Sequence, residues 1–437
     1  MATISQTDTM RKDRWGWYLY DFGNSAYAAV ILLAIYSAYF KDGVVGGAEG
    51  TRLWGIAVGI AMLIVAVLSP ILGSIADYAG SKKRFLAMFT ALSVVCTCLL
   101  FFVQRGDVFT GMLFFILAEI GYRGAQVFYN GLLPEIADED EIGRISGNGW
   151  AIGSLGGIIC LLLVLPLVVI LGDDYPNNLI VRSTFLITGV FFAVSTLPLF
   201  FWLREKSEPQ PLRREHFSIG FKRLAATARK ARSYREYLKF LLAFVVYHDG
   251  VMITLNFAAI IGAVLYGLDQ TNLIILIIIV QITNVIGAWR FGILADQWGS
   301  KRTLLLSIGL MIVVVIPLFF TSGAVTFFII GAAAGVAMAG IQSVSRTMVT
   351  QLSPAGQSAE FFGLFAVAGR SSSFIGPTLY GIVAAEAALR FVGNGIPETT
   401  AEQMGQRVAI STIVIFLAIG GALLLRVQEP TSGKATV

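Results

Sequence analysis

The chain has 437 residues, 56% of them hydrophobic and 14% charged, with a mean hydropathy of +0.76. Soluble domains carry about 25% charged residues, so this composition excludes a soluble enzyme and specifies an integral membrane protein. The formal charge of +5 collects in a few loops, as membrane topology requires, and no nucleic-acid partner is expected.

Apolar runs long enough to cross about 30 Å of hydrocarbon fall at 17–40, 53–76, 84–103, 108–133, 147–171, 184–203, 238–266, 272–295, 303–321, 324–349, 361–387 and 408–426. They predict twelve transmembrane helices. The N-terminal arm, MATISQTDTM, has no cleavable-signal pattern. Within the first helix, YLYDFGNSAY places Asp21, Asn24 and Ser25 on one face. Asp21 is expected about 8 Å inside the helix end. It reads either as a gate or proton-linked carboxylate against Arg346, or as an interfacial carboxylate with Trp17 and Tyr20 as belt residues.

GSIADYAGSKKR joins the second and third helices from Gly73. In the fourth helix Glu119, Arg123, Gln126 and Asn130 follow the spacing of one helical face. A charge in hydrocarbon costs at least roughly 2.5–3.5 kcal/mol, so this face is expected to line a cavity, although an i,i+4 pair also satisfies itself. Gly149, Gly153 and Gly157 in the fifth helix, and Gly331 and Gly335 in the tenth, mark close helix approach. Cys96, Cys98 and Cys160 lie inside spans and read as packing residues.

The interval 204–237 is the long polar one and is densely basic. It divides the chain into an N-terminal half (1–203), a connector and a C-terminal half (238–437). Its cations, with Arg11, Lys12, Arg14, Lys82, Lys83 and Arg84, lie on one side and predict cytoplasmic termini. Beyond it, His248 and Asp249 in the seventh helix, Gln342, Ser345 and Arg346 in the tenth, and Arg370 in the eleventh are polar at similar depths. GILADQWGSKR from Gly292 repeats the first-half loop: Gly73, Asp77, Gly80 and Lys82 match Gly292, Asp296, Gly299 and Lys301 at a constant offset of 219. The halves are homologous.

The doubled G-x-x-x-D-x-x-G loop on twelve helices resembles the signature of the major facilitator superfamily: an all-α membrane fold of two pseudo-symmetric six-helix bundles. YDFGNSAY, FYNGLLPEIADED, RISGNGWAIGSLGG, QSVSRTMVTQLSP, AEFFGLFAVAGR and FIGPTLYG look like successive blocks of the autophagy-related vacuolar amino-acid effluxer family and its bacterial permease branch. Ser154 stands where that family usually has Tyr. The resemblance implies secondary transport of a small polar solute by alternating access, with amino acids and efflux favoured and proton coupling as an option. It also implies that Asp77 and Asp296 latch onto the starts of the eleventh helix, near Ser358–Glu360, and of the fifth, near Ile145–Gly147.

No G-x-x-x-x-G-K-[ST] phosphate loop and no H-E-x-x-H motif occur, and the histidines are His216 and His248 alone. An ATP-driven pump and a zinc enzyme are therefore set aside, and no catalytic residue, cofactor or metal is expected. A non-transporting sensor or scaffold of the same fold and a sugar permease are the alternatives. A monomer in a bacterial plasma membrane is the expected form.

Overall fold

The computed structural model describes residues 2–78, 81–137, 141–171, 178–205, 214–354 and 358–428, without the side chains of some residues at segment ends. Among the described residues, twelve spans are long and apolar enough to cross a membrane. Helices satisfy every backbone group internally, which hydrocarbon demands.

The first half comprises α1 (Ala2–Tyr27), α2 (Gly47–Tyr78), α3 (Lys82–Leu99), α4 (Val108–Gly131), α5 (Ile142–Leu171) and α6 (Leu179–Trp202). A connector helix, α7 (Arg214–Ala231), follows. The second half comprises α8 (Arg235–Tyr266), α9 (Gln270–Trp298), α10 (Ser300–Val315), α11 (Ala324–Leu352), α12 (Ser358–Ser372), α13 (Ile375–Gly393) and α14 (Glu398–Leu425).

Packing repeats between the halves. α1 lies against α5 and α6, as α8 lies against α13 and α14; α4 lies against α2 and α3, as α11 lies against α9 and α10. Across the midline α2 meets α12 and α13, and α5 meets α9. A loop lysine in each half, though not at matching repeat positions, ties the loop to the end of that half's last span. Lys83 Nζ donates to the Phe200 and Leu203 carbonyls at the end of α6 (2.9 and 2.5 Å), and Lys301 Nζ donates to the Leu425 carbonyl at the end of α14 (2.8 Å). Each cation answers the negative end of a helix dipole.

Most spans run a few residues beyond the sequence expectation, the twelfth starting at Glu398 rather than 408, and two differ in kind. The first runs Met10–Val45, beyond 17–40, because α1 continues through π-helical segments at Ala28–Ala34 and Tyr39–Val45. The eleventh, expected unbroken over 361–387, is split into α12 and α13. Ser372 and Ser373 hydroxyls donate to the Gly369 carbonyl (3.1 and 2.6 Å), competing with the helical ladder, and Pro377 has no N–H to continue it.

The face bearing α7 and the loop lysines is called here the connector face, and its opposite the far face. At the far face the halves are bolted together. Buried Lys41 pairs with Asp42 and with Glu402 of α14 (both 2.5 Å). Gln406 donates to Thr51 Oγ1 (2.9 Å) and accepts from the Tyr380 hydroxyl (2.8 Å), while Trp54 Nε1 donates to the Asn256 carbonyl (2.8 Å). Backbones touch there too: a Cβ on Gly55 would lie 2.5 Å from the Pro377 carbonyl oxygen.

Candidate functional site: a polar vestibule between the halves

On α1, Trp17, Asp21 and Ser25 recur every four residues and face Gly149, Gly153 and Gly157 of α5, which share that spacing. A Cβ on Gly153 would lie 2.2 Å from Asp21 Oδ2, and one on Gly149 2.2 Å from the Trp17 ring. The glycine stripe therefore exists to admit a carboxylate and an indole between two helices. Asp21 is half-buried, and Asn24 is buried with Oδ1 lacking a hydrogen-bond partner among the described residues. Because the first helix starts earlier than expected, Asp21 lies deeper, and it rests on α5 rather than on Arg346, whose side chain is exposed on α11.

The face of α4 carries the main gradient. Glu119 is fully buried, Arg123 and Gln126 are half-buried and Asn130 is exposed. Polar side chains at increasing exposure along a membrane helix need water beside them, so this face of α4 opens toward the connector face and closes at Glu119. Arg123 Nε donates to Glu119 Oε1 at 2.7 Å, and its guanidinium lies 5.1 Å over the Tyr122 ring. Tyr122 packs against Tyr27 at 4.8 Å, and the Tyr27 phenol and Glu119 act on each other. Glu119 Oε2 has no partner meeting hydrogen-bond geometry among the described residues.

The second half contributes His248, stacked on Phe244 at 4.8 Å and resting against Gly369, whose Cβ would lie 3.6 Å from Nε2. The neighbouring Arg370 donates from Nη1 to Ser69 Oγ of α2 (2.8 Å), a contact between the halves. Arg123 bears electrostatically on both His248 and Arg370 of the other half. Gln342 and Arg346 are exposed on α11, one turn apart.

Asp249, expected among the cavity residues, is instead 2% exposed and set against Gly376 at the start of α13, whose N–H acts on its carboxylate, while Oδ1 has no partner meeting hydrogen-bond geometry among the described residues. The break in the eleventh span frees that N–H, and a carboxylate satisfies it. The repeat register differs accordingly. Tyr20 and Gly23 correspond to Tyr247 and Gly250: the two phenols bond Thr90 and Ser345 (2.6 and 2.7 Å), and the two glycines pack on α6 and α14. Asp21 therefore aligns with His248.

Of the loop-motif residues, Gly80 and the side chain of Asp77 lie outside the described residues. Asp296 is exposed and makes no hydrogen bond or ion pair among the described residues. Lys82 pairs with Glu135 at 2.6 Å within the first half. Gly299 has φ +91°, a conformation that glycine adopts without strain. A Cβ on Gly73 or Gly292 would meet nothing within 4 Å.

Sequence reasoning missed Tyr27, Ser69 and Gln281. Gln281, whose Nε2 would lie 3.0 Å from a Cβ on Gly157, interrupts a run of isoleucines and was detectable by the depth rule used for Glu119. Ser69 bore no such signal, because a serine satisfies itself on its own helix; here it also donates to the Val65 carbonyl (2.7 Å).

The pattern of the family described as Vacuole effluxer Atg22 like matches residues 54–388. The chain belongs to this Atg22-like family. It is 29% identical over 434 residues to YxiO of Bacillus subtilis, described as an uncharacterized MFS-type transporter, with 96% of each chain covered. It is 26% identical to autophagy-related protein 22-1 of Aspergillus fumigatus, covering 55% of this chain and 43% of the fungal one. Among solved structures, a bacterial homologue of the human lysosomal transporter Spinster, titled inward-facing and occupied, superposes with a TM-score of 0.74 at 14% identity, covering 96% of each chain. A point mutant of the nucleoside transporter NupG gives 0.70 at 16% identity, covering 95% of this chain and 99% of that one. The fold is that of the major facilitator superfamily, and this Atg22-like protein is a multi-pass membrane transporter of that type.

Proposed function

We propose that the protein moves amino acids, outward from the cytoplasm, by alternating access between two six-helix halves (1–203 and 238–437) joined by the connector at 204–237. The observation that carries this is the α4 polar face, exposed at Asn130 and sealed at Glu119, between two halves joined at a bolted far face. Lys and Arg on the connector face support its assignment to the cytoplasm, so the conformation described is inward-open. A zwitterion suits the chemistry, with Arg123 and Arg370 for its carboxylate and half-buried Asp21 for its ammonium group. The family description as a vacuole effluxer supports the cargo and direction, and the YxiO likeness supports a bacterial plasma membrane.

Glu119 is the proposed proton site. Desolvation favours its neutral form and Arg123 its charged form, and a substrate carboxylate that draws Arg123 away changes the balance. The test is counterflow in proteoliposomes of the purified protein with panels of radiolabelled neutral amino acids and sugars. Exchange of amino acids is expected. A response to sugars alone overturns the cargo, and exchange of no solute overturns transport.

A further inference from the structure

Arg290 of α9 is out of place. Gly287 and Phe291 on either side of it pack on α11: a Cβ on Gly287 would lie 2.7 Å from the Val336 carbonyl oxygen, and one on Gly340 2.7 Å from the Phe291 ring. Gln281 faces α5. Ile282, Ile286, Trp289 and Ile293 follow the spacing of one helical face and are exposed, so they form the side of α9 left to hydrocarbon. Arg290 is exposed at the edge of that side, a turn from both Ile286 and Ile293. Among the described residues it makes no hydrogen bond or ion pair, and its guanidinium lies over the Trp289 ring, 4.9 Å from the centroid.

The 29-residue span Gln270–Trp298 is about 43 Å long, so about 6 Å at each end lies outside the roughly 30 Å of hydrocarbon. The Arg290 backbone lies about 12 Å from the Trp298 end, within the hydrocarbon of the connector-face leaflet, where an unmatched charge is costly. The fold does not require it. At the repeat offset of 219, the first half has Pro70 and Ile71 where the second has Trp289 and Arg290.

We infer that Trp289 and Arg290 form a docking site for an acidic phospholipid of the connector-face leaflet, whose phosphate accepts hydrogen bonds from the Arg290 guanidinium. An arginine stem lies in hydrocarbon while its charge reaches headgroup level. The guanidinium offers a phosphate two parallel N–H groups, and the indole beneath supports it from one side. The lipid is acidic because the site holds a cation without a carboxylate to receive a headgroup ammonium. Asp296, the next carboxylate along α9, is six residues on, about 120° round the helix. A net negative headgroup answers Arg290; a choline headgroup brings a second cation.

The experiment takes the full-length protein in detergent, adds phosphatidylglycerol or phosphatidylcholine with identical acyl chains, and counts bound lipid by native mass spectrometry. The wild type is expected to prefer phosphatidylglycerol, and Arg290→Gln to weaken its binding about 10- to 100-fold, the range for hydrogen bonds to charged groups. Arg290→Ile installs the first half's residue and is expected to do the same while folding normally, since it removes a charge from hydrocarbon. Arg302→Gln removes an exposed cation at the start of α10 and is expected to keep the preference. In nanodiscs, phosphatidylglycerol is expected to raise the wild-type thermal midpoint above its value in phosphatidylcholine and to leave Arg290→Gln unmoved. Soluble glycerol phosphate added to phosphatidylcholine nanodiscs is expected to have no effect, because only a membrane-anchored headgroup is held at this depth.

Equal binding of the two lipids by the wild type, an unchanged preference in both Arg290 variants, or an equal loss in Arg302→Gln overturns the site. Stabilisation by glycerol phosphate to the same extent as by phosphatidylglycerol overturns the lipid as its occupant. None of these measurements requires flux, so the site stands or falls apart from the cargo.

Discussion

Glycines at opposite ends of α2 give a reciprocal test of alternating access. At the far end a Cβ on Gly55 would lie 2.5 Å from the Pro377 carbonyl oxygen and one on Gly59 2.0 Å from Thr378 Oγ1; at the connector end a Cβ on Gly73 meets nothing within 4 Å, and the same holds for Gly147, Gly292 and Gly363. These four lie on α2, α5, α9 and α12, the elements that meet across the midline. In the conformation described Gly73→Ala costs nothing by packing, and helix propensity favours Ala by about 1 kcal/mol in both states. When the connector face closes, the added methyl overpacks the interface at a cost of about 1–3 kcal/mol. The inward-open to outward-open ratio then rises roughly 5- to 150-fold. Gly55→Ala acts in the opposite sense by the same physics. The two sites lie about 27 Å apart along the helix, so their effects add, and the double variant returns toward the wild-type ratio. Distances between spin labels at exposed Arg84 and Thr350, one on each half at the connector face, read in membranes for all four proteins, check this. Equal distance distributions in the two single variants refute the reasoning, as does a shift of both in the same direction.

At the far face, Lys41→Met strands the Glu402 carboxylate, and breaking a buried pair costs about 3–5 kcal/mol; far-face labels are expected to separate, and Lys41→Met with Glu402→Met to restore closure. Glu119→Gln is expected to abolish pH-gradient-driven accumulation in proteoliposomes while sparing exchange at equal concentrations, and full accumulation excludes Glu119 as the coupling site. Gly153→Ala drives a methyl into the Asp21 carboxylate and is expected to cost about 1–3 kcal/mol, read as a lower thermal midpoint, with Gly147→Ala near wild type because nothing opposes its Cβ.

The fold was legible because its signals are collective. Long apolar runs, loop cations and a motif repeated at one offset each constrain whole helices, and the resemblance drew on blocks in both halves. The α4 polar face was legible for a similar reason, since four polar residues at helical spacing leave few alternatives. Side-chain partners across helices were not. Asp21 was set against Arg346 by depth alone, but depth is one coordinate of three, and the glycine stripe of α5 offered it a nearer seat. The stripe itself was read only as close packing, because spacing shows that small residues align and not what they admit. The break in the eleventh span had a local signal, Ser371 to Ser373 before Pro377, which its mean hydropathy concealed.

That break and the carboxylate beside it are one feature. Gly156 packs on the backbone at Phe22, and Gly376 makes the equivalent contact at Asp249, so the two halves place Phe and Asp at matching sites. Where the residue is Phe22, α5 runs through unbroken; where it is Asp249, the span is split and an N–H is left without a helical acceptor at a depth where water is scarce. The carboxylate is thus explained by backbone accounting, without a role in proton movement. Asn and Ala separate the two roles, since an amide oxygen still accepts from the Gly376 N–H and a methyl does not. Asp249→Ala is expected to lose about 1–3 kcal/mol, the cost of an unsatisfied buried donor, measured as a lower thermal midpoint. Asp249→Asn should keep both its midpoint and its pH-driven accumulation of substrate. If Asp249→Asn remains as stable as wild type yet loses accumulation while exchange persists, Asp249 carries the proton and the capping role is insufficient to explain it.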